Sequence, residues 1–167
     1  MPELKLISSQ TPNGQFHIIV DQTDAAIASG FGPVSLLKQR LPVHYRQYKL
    51  NNVLDHRYSK FIDKYFEGEL DSLNAIVKKY YGSDFQKSVW DSLQSVAPGK
   101  TVSYKKLAEI THKPKAFRSV GNICKSNKLI LLVPCHRVIK NDGGMGGYLY
   151  GTEIKKSLLA HEANHSN

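Results

Sequence analysis

The hydrophobic pattern of this chain changes near Phe85, and that change limits its fold more than any other feature. Before this residue, three short segments are apolar or alternate between apolar and polar, as β-strands do: residues 4–9, 15–21 and 25–29. Asn13-Gly14 and the glycines at positions 30 and 32 predict turns between or after these strands. From Phe85 onward, apolar residues recur at helical spacing. We therefore expect a β-containing first part and a helical second part.

Two helices are predicted in the rest of the first part, at residues 33–41 and 53–66. In the second helix, one face collects large apolar and aromatic side chains: Leu54, Tyr58, Phe61, Ile62 and Tyr65. None of these segments has a catalytic pattern. Residues 1–78 are therefore predicted to form an α/β scaffold domain, with a small antiparallel sheet and helices.

The second part, residues 79–167, is predicted to be a mostly α-helical domain. Its first helix begins at Phe85 and is expected to stop at Pro98-Gly99. Ser103 can cap the next helix, and Pro114 is expected to open a third one. Two short helices with a tight connection, and with Lys and Arg on the second, are typical of a helix-turn-helix.

Positive charge is concentrated in the second part of the chain. The formal net charge is +9. Residues 1–84 carry ten Lys and Arg against nine Asp and Glu, whereas residues 85–167 carry thirteen against five. A basic surface of this kind suits a polyanion such as DNA, because each neutralised phosphate releases condensed counterions. A basic surface that only keeps the protein in solution is the alternative.

No segment of the sequence predicts export or membrane insertion. The N-terminus lacks the apolar run of a signal peptide, and the longest strongly apolar run, residues 129–134, is too short to cross a bilayer. The two cysteines, Cys124 and Cys135, are too few for a disulfide framework or a cysteine-rich zinc site. We expect a soluble, monomeric, cytoplasmic protein (nuclear in a eukaryote) with reduced thiols, without a metal ion and without a cofactor.

The candidate nucleophile is Cys135, which follows Pro134 directly after the apolar run. An isolated thiol titrates near about 8.5, so a reactive cysteine needs a base and a group that orients the base. His136 is adjacent, but neighbouring side chains of an extended segment point in opposite directions, so it would reach the sulfur only through a water molecule or after a turn of the backbone. Glu162, at the end of a helix predicted at residues 154–162, is the best carboxylate to hold the imidazole. The alternative is an ordinary buried cysteine beside an unrelated histidine.

With these residues, the second part of the chain resembles a known family, the methylated-DNA–protein-cysteine methyltransferases. The acceptor motif of that family, Pro-Cys-His-Arg-Val, occurs at residues 134–138, and a glycine-rich segment follows at residues 143–147. Further matching residues lie in register: Phe85-Gln86, Val89-Trp90, Pro98-Gly99, Ser103-Tyr104, Leu107-Ala108, Ala116, Arg118, Val120-Gly121, Asn127, Gly146-Gly147-Tyr148, Gly151, Leu158-Leu159 and Glu162. The first part resembles the family chiefly through Tyr65-Phe66-Glu67-Gly68.

The resemblance implies DNA repair by irreversible transfer of an alkyl group, typically a methyl from the O6 of guanine, to Cys135. Double-stranded DNA containing O6-alkylguanine would be the partner, and O4-methylthymine could be a further substrate. The implied fold is a ribonuclease H-like first domain and a winged-helix-like second domain.

The resemblance also assigns roles to single residues. His136 would act as the base for Cys135 through a water molecule, and Glu162 would orient His136. Tyr104 would press on the DNA backbone and help to protonate the leaving guanine at N3, while Arg118 would fill the gap left by the flipped base. Asn127 would brace the turn that carries the active-site loop. Further DNA contacts would come from Ala116, Lys125 and Arg137. The substrate pocket would be formed by Val138, Tyr148, Leu149 and Tyr150.

The sequence departs from the family pattern in two places. Tyr150 is bulkier than the residues of some relatives, which should narrow the pocket, and the cysteines with which some relatives bind zinc are absent.

Two other functions are also compatible with parts of the sequence. One alternative is a winged-helix binding module in which Cys135 is incidental and can be lost. The other is a cysteine hydrolase that uses Cys135 and His136 for acyl transfer over many turnovers, for which a basic surface has no purpose.

Overall fold

A computed structural model describes residues 2–166, and these residues form two compact units. The first unit runs to Tyr81 and also includes Lys128–Leu132. The second comprises Gly82–Asn127 and the chain from Val133 onward. A division at residue 78 would assign Lys128–Leu132 to the second part, but backbone hydrogen bonds join this segment to Ser29, which donates to the Lys128 carbonyl at 2.9 Å.

The first unit contains a four-stranded sheet in the order β3-β2-β1-β4. Its strands are β1 (Glu3–Thr11), β2 (Gly14–Val20), β3 (Ala26–Phe31) and β4 (Lys49–Asn52). The first three confirm the predicted strands and pair antiparallel. The expected purely antiparallel sheet was wrong, because β4 pairs parallel with β1 at the edge. This strand has only four residues, Lys-Leu-Asn-Asn, which is too short and too polar to give an alternating pattern.

The turn between β1 and β2 confirms the prediction at Asn13-Gly14. Thr11 pairs with Gly14, whose φ of +97° lies in the region that favours glycine. Gly30, in contrast, lies inside β3 and does not form a turn. The chain turns after it, at Gly32, where φ is +78°.

Two helices and two 3-10 turns complete the first unit: α1 (Val34–Gln39), Val43–Tyr45, α2 (His56–Phe66) and Ser72–Ala75. The side chain of Asp55 caps α2, and Tyr58, Ile62 and Tyr65 form its buried face. Leu54 was expected on that face, but it precedes the cap and is 92% exposed. A separate core cluster packs β1, β2 and β3 against α1 and the turn after it: Leu4, Leu6, Ile19, Ile27, Ala28, Leu37, Leu41 and Tyr45.

The second unit is mostly helical, as predicted. It consists of α3 (Asp84–Gln94), β5 (Val102–Ser103), α4 (Tyr104–Ile110), a 3-10 turn (Pro114–Ala116), α5 (Phe117–Lys125), a second 3-10 turn (Cys135–Arg137), β6 (Val138–Ile139) and α6 (Thr152–His165). Ser103 caps α4 as expected, since its hydroxyl accepts from the Lys106 backbone N–H at 3.0 Å. Pro114 opens only the 3-10 turn, and α3 ends at Gln94, before Pro98.

Packing inside the second unit joins α3, α4 and α5. Trp90 on α3 donates from its indole N–H to the Ile123 carbonyl on α5 at 3.2 Å. Leu107 on α4 and Val120 on α5 are completely buried. The unpredicted β5 and β6 pair parallel, which fixes the chain immediately after residue 137. Among residues 2–166, none of the helices combines the length and the apolar character that crossing a membrane requires.

A buried carboxylate ties together distant parts of the first unit. Asp21 accepts hydrogen bonds from Lys79 at 2.8 Å, from the Thr23 hydroxyl at 2.6 Å and from the Ala25 backbone at 3.2 Å. Burial alone would raise the pKa of Asp21, but these hydrogen bonds outweigh it and lower the pKa to about 2. The carboxylate therefore stabilises the folded state above its unfolded pKa, and this contribution is lost as the pH falls towards 2.

Replacing Asp21 with Asn should lower the free energy of unfolding by about 1–3 kcal/mol at pH 7, because buried donors lose a charged acceptor. The matched control is Asp24→Asn, whose carboxylate pairs with Lys5 at 2.7 Å but is half exposed, so we expect a loss of less than about 1 kcal/mol. Urea unfolding of both variants gives the comparison. Equal losses, or a difference between wild type and Asp21→Asn that persists near pH 2, would contradict the assignment.

Candidate active site

A tight turn of the backbone presents Cys135. The preceding residues, 129–133, are buried but do not form a strand. Cys135 N–H donates to the Val133 carbonyl at 2.8 Å, and Arg137 N–H donates to the Pro134 carbonyl at 3.0 Å. Because the chain turns here, the opposed directions that an extended segment would impose on Cys135 and His136 do not apply.

The Asn127 side chain contacts both this turn and the sulfur. Asn127 is buried just beyond α5, and its Nδ2 donates to the Val133 carbonyl at 2.9 Å and to Cys135 Sγ at 3.3 Å. The same amide therefore holds together the two ends of the segment Lys128–Leu132. The sequence suggested only a brace for the turn, whereas the structure adds a direct hydrogen bond to the thiol, whose residue is 9% exposed.

His136 and Glu162 form a buried pair with a defined tautomer. Nε2 of His136 lies 2.7 Å from Oε1 of Glu162, and both side chains are completely buried. A carboxylate can only accept, so Nε2 carries the proton and the lone pair is on Nδ1, a buried atom without a hydrogen-bond partner among the described residues. Burial lowers the pKa of His136 more than Glu162 raises it. The imidazole is therefore neutral at pH 7 and can take up a proton.

Arg137 also contacts Glu162. Its Nε and Nη2 donate to the two carboxylate oxygens at 2.9 Å each, and its Nη1 donates to the Val96 carbonyl at 2.7 Å. Burial would raise the pKa of Glu162, but the hydrogen bonds from His136 and Arg137 hold it well below its usual range. The expectation that Arg137 contacts DNA was wrong, because the buried carboxylate needs a cation beside it and the guanidinium is turned inward.

Lys155 is a completely buried cation that the sequence interpretation missed. Its Nζ donates to the Val138 carbonyl at 2.6 Å and to the Gly147 carbonyl at 3.3 Å. Burial lowers the pKa of Lys155, and the nearby Cys135 and Cys124 thiols act in the opposite direction. One signal was present in the sequence, since Lys155 shares a face of α6 with Leu158 and Glu162.

Tyr104 lies close to this cation. It is half-buried at the start of α4, and burial, followed by the charges of Cys124 and Cys135, raises the pKa of its phenol. Gly146 approaches both groups so closely that a Cβ there would lie 3.2 Å from the Tyr104 hydroxyl and 3.5 Å from Lys155 Nζ. With φ at +73° as well, this position strongly favours glycine.

A groove of about 720 Å³ lies beside Tyr104. Two of the expected DNA-contacting residues, Arg118 and Lys125, are exposed on α5 and line it. Ala116 is half-buried in the 3-10 turn before α5 and does not line the groove. Other lining residues come from α5 and from the loop after β6: Phe117, Gly121, Asn122, Lys140, Asn141, Asp142, Gly146 and Gly147.

The residues expected to form the substrate pocket lie outside the lining of this groove. Val138 is buried, and its carbonyl already accepts from Lys155, which leaves one lone pair for another donor. The rings of Tyr148 and Tyr150 are half-buried, with centroids 6.2 Å apart. Leu149 between them is 50% exposed.

These features define a class of protein in which a buried cysteine, a neutral histidine held by a carboxylate, and a buried lysine lie in a helical unit with a basic groove. Comparisons with known proteins agree with this class. A family model described as the DNA-binding domain of 6-O-methylguanine DNA methyltransferase matches residues 84–164. The methylated-DNA–protein-cysteine methyltransferase of Shigella flexneri is 34% identical over 156 residues, which cover 91% of each chain.

One further relative matches about half of the chain, and one solved structure matches nearly all of it. The bifunctional transcriptional activator and DNA repair enzyme Ada of Escherichia coli is 46% identical over 82 residues, which are 49% of this chain and 23% of Ada. The chain therefore spans about a quarter of that relative. The crystal structure of Mycobacterium tuberculosis OGT in complex with DNA superposes with a TM-score of 0.81 at 25% identity, covering 96% of this chain and 94% of that one. This chain belongs to the methylated-DNA–protein-cysteine methyltransferase family.

Replacing Lys155 with Met should shift the alkylation of Cys135 by iodoacetamide to higher pH, because a nearby cation stabilises a thiolate. The matched control is Lys156→Met, which removes an exposed lysine of the same helix. Both variants carry Cys124→Ala, so that one thiol remains. Coincident pH profiles for the two lysine variants would contradict an electrostatic effect of Lys155 on the Cys135 thiol.

Proposed function

We propose that this protein removes alkyl groups from the O6 of guanine in double-stranded DNA and keeps them on Cys135. Each molecule acts once, because none of residues 2–166 provides a group beside the sulfur that can cleave the thioether. No cofactor takes part. The observation that carries this proposal is the position of Tyr104. It lines the basic groove, and its hydroxyl lies near Lys155, which donates to the Val138 carbonyl directly after the turn that begins at Cys135.

The transfer step follows from the geometry around the sulfur. Cys135 loses its proton to His136, by way of a water molecule as the family resemblance implies, and Nδ1 is the nitrogen available for it. The sulfur then attacks the alkyl carbon, and the bond from this carbon to O6 breaks with its electron pair moving to the guanine. Tyr104 donates a proton to the guanine at N3. The thiol proton returns through His136 to Tyr104, so the products are a thioether and unmodified guanine.

Electrostatics supports this step inside a closed site. The ionised Glu162 carboxylate stabilises His136 when it is protonated, and the Lys155 ammonium stabilises the thiolate. Asn127 donates to the sulfur and so keeps it in place for attack. Each of these groups is buried, where charges act on one another more strongly than in water.

We assign DNA binding to α4 and α5, which would form the two helices of a helix-turn-helix within a winged-helix-like unit. The first unit is assigned a ribonuclease H-like fold. The methylated oxygen is inaccessible inside a duplex, so the target base has to be flipped out. Arg118 on α5 has the planar, weakly hydrated guanidinium that suits the vacated stack. Lys125 provides a phosphate contact, and Ala116 leaves room for the backbone. The likeness to a structure determined with DNA supports these assignments.

Mixing the protein with duplex DNA containing O6-methylguanine should add the mass of one methyl group to the intact protein. Cys135→Ser should abolish this uptake and retain DNA binding, because the thiol contributes little to phosphate contacts. Cys124→Ala is the matched control and should retain full uptake, since burial raises the pKa of Cys124 to about 12 and keeps it protonated. Uptake by Cys135→Ser, or many turnovers by the wild type, would refute the proposal.

Arg118→Ala should slow repair of duplex DNA by about tenfold or more and hardly change the reaction with free O6-methylguanine, because the flipping cost of a few kcal/mol arises only in the duplex. The measurement is the single-turnover rate at saturating duplex. If Arg118 were only a phosphate contact, Arg118→Lys would restore the rate and saturation would remove the defect of Arg118→Ala. That result would reduce Arg118 to an electrostatic contact.

A further inference from the structure

Phe117 is an aromatic side chain exposed beside the residues assigned to DNA. It is the first residue of α5, it is 37% exposed, and it lines the groove next to Arg118. The other large apolar residues of this helix, Val120 and Ile123, are buried. Phe117 therefore differs from them in presenting part of its ring to the groove.

The ring and the neighbouring guanidinium form a composite surface. Cζ of Arg118 lies 5.9 Å from the centroid of the Phe117 ring, a cation–π distance. The backbone at this point is the start of a regular helix, so the two side chains project from a rigid element at the same end of the groove. A ligand that reaches Arg118 is therefore within reach of Phe117.

Base flipping creates the surface that such a pair fits. When one nucleotide leaves a duplex, the two neighbouring bases lose their stacking partner. A guanidinium in the gap is smaller than the base that it replaces, so it leaves part of each neighbouring base face uncovered. An aromatic ring stacks on any base, and apolar side chains serve as wedges between base steps in proteins that kink DNA. The basic residues around the groove, Lys125 and Lys140 among them, provide attraction for the phosphates.

We propose that Phe117 contacts the DNA directly, by placing its ring beside the Arg118 guanidinium on the part of a neighbouring base face that the guanidinium leaves uncovered. This inference rests on the function proposed above and adds a second residue that stabilises the flipped state. Because every base has an apolar face, the contact is independent of the neighbouring sequence.

The test compares Phe117→Ala with Ile110→Ala on a duplex that carries O6-methylguanine next to 2-aminopurine. Ile110 is a matched control, since it is 39% exposed on α4 and does not line the groove. At saturating duplex, Phe117→Ala should slow methyl transfer by about tenfold or more, in line with the loss of one stacked base, and the 2-aminopurine fluorescence on binding should differ from that of the wild type. Phe117→Tyr should keep the wild-type rate, and Ile110→Ala should behave as the wild type in all assays.

Two comparisons separate this proposal from others. Free O6-methylguanine should react with Phe117→Ala at the wild-type rate, which also shows that the variant is folded. Adding Phe117→Ala to Arg118→Ala should slow duplex repair further. No further loss would make Phe117 a support for Arg118 only and would overturn direct contact, as would equal rates for Phe117→Ala and Ile110→Ala. If the wild type itself takes up no methyl group, the proposed function fails instead.

Discussion

The buried carboxylate of Glu162 is the interaction on which the second unit depends. Its two oxygens accept from both Arg137 and His136, which are adjacent in the chain, so one carboxylate on α6 fixes the turn that begins at Cys135. A buried ion pair contributes little to stability compared with a well-packed apolar group, but losing one partner costs about 3–5 kcal/mol. Replacing one of the three residues of this network should therefore destabilise the unit strongly. The intact network holds the imidazole of His136 in one orientation and one tautomer.

Much of the fold and of the site was accessible from the sequence, and for physical reasons. Strands β1 to β3 follow from local alternation, and α4 follows from a capping serine and apolar spacing, since both signals lie within a few residues of the structure they specify. Cys135, His136 and Glu162 were selected because a thiol needs a base and the base needs a carboxylate. The structure brings His136 and Glu162 together as that argument requires.

The features that the sequence did not reveal depend on contacts between distant residues. Strand β4 is recognisable only by its pairing with β1, more than 40 positions away. Arg137 and Lys155 were counted among thirteen basic residues that suggested a surface for DNA, although both are buried. Charged residues usually lie at the surface, so a sequence gives no reason to place them in the interior. Arg137 is buried because it pairs with Glu162, and Lys155 because it donates to the Val138 carbonyl.

The hydrogen bond from Asn127 to the sulfur has a consequence for the state that the proposed reaction would produce. A thioether is a poorer acceptor than a thiolate, and its extra methyl group must fit where the thiol is almost completely enclosed. The amide that donates to the sulfur is also the one that closes the loop between residues 127 and 133. In the proposed reaction, alkylation of Cys135 would therefore alter the hydrogen bonds of the amide that joins the sulfur to the Val133 carbonyl.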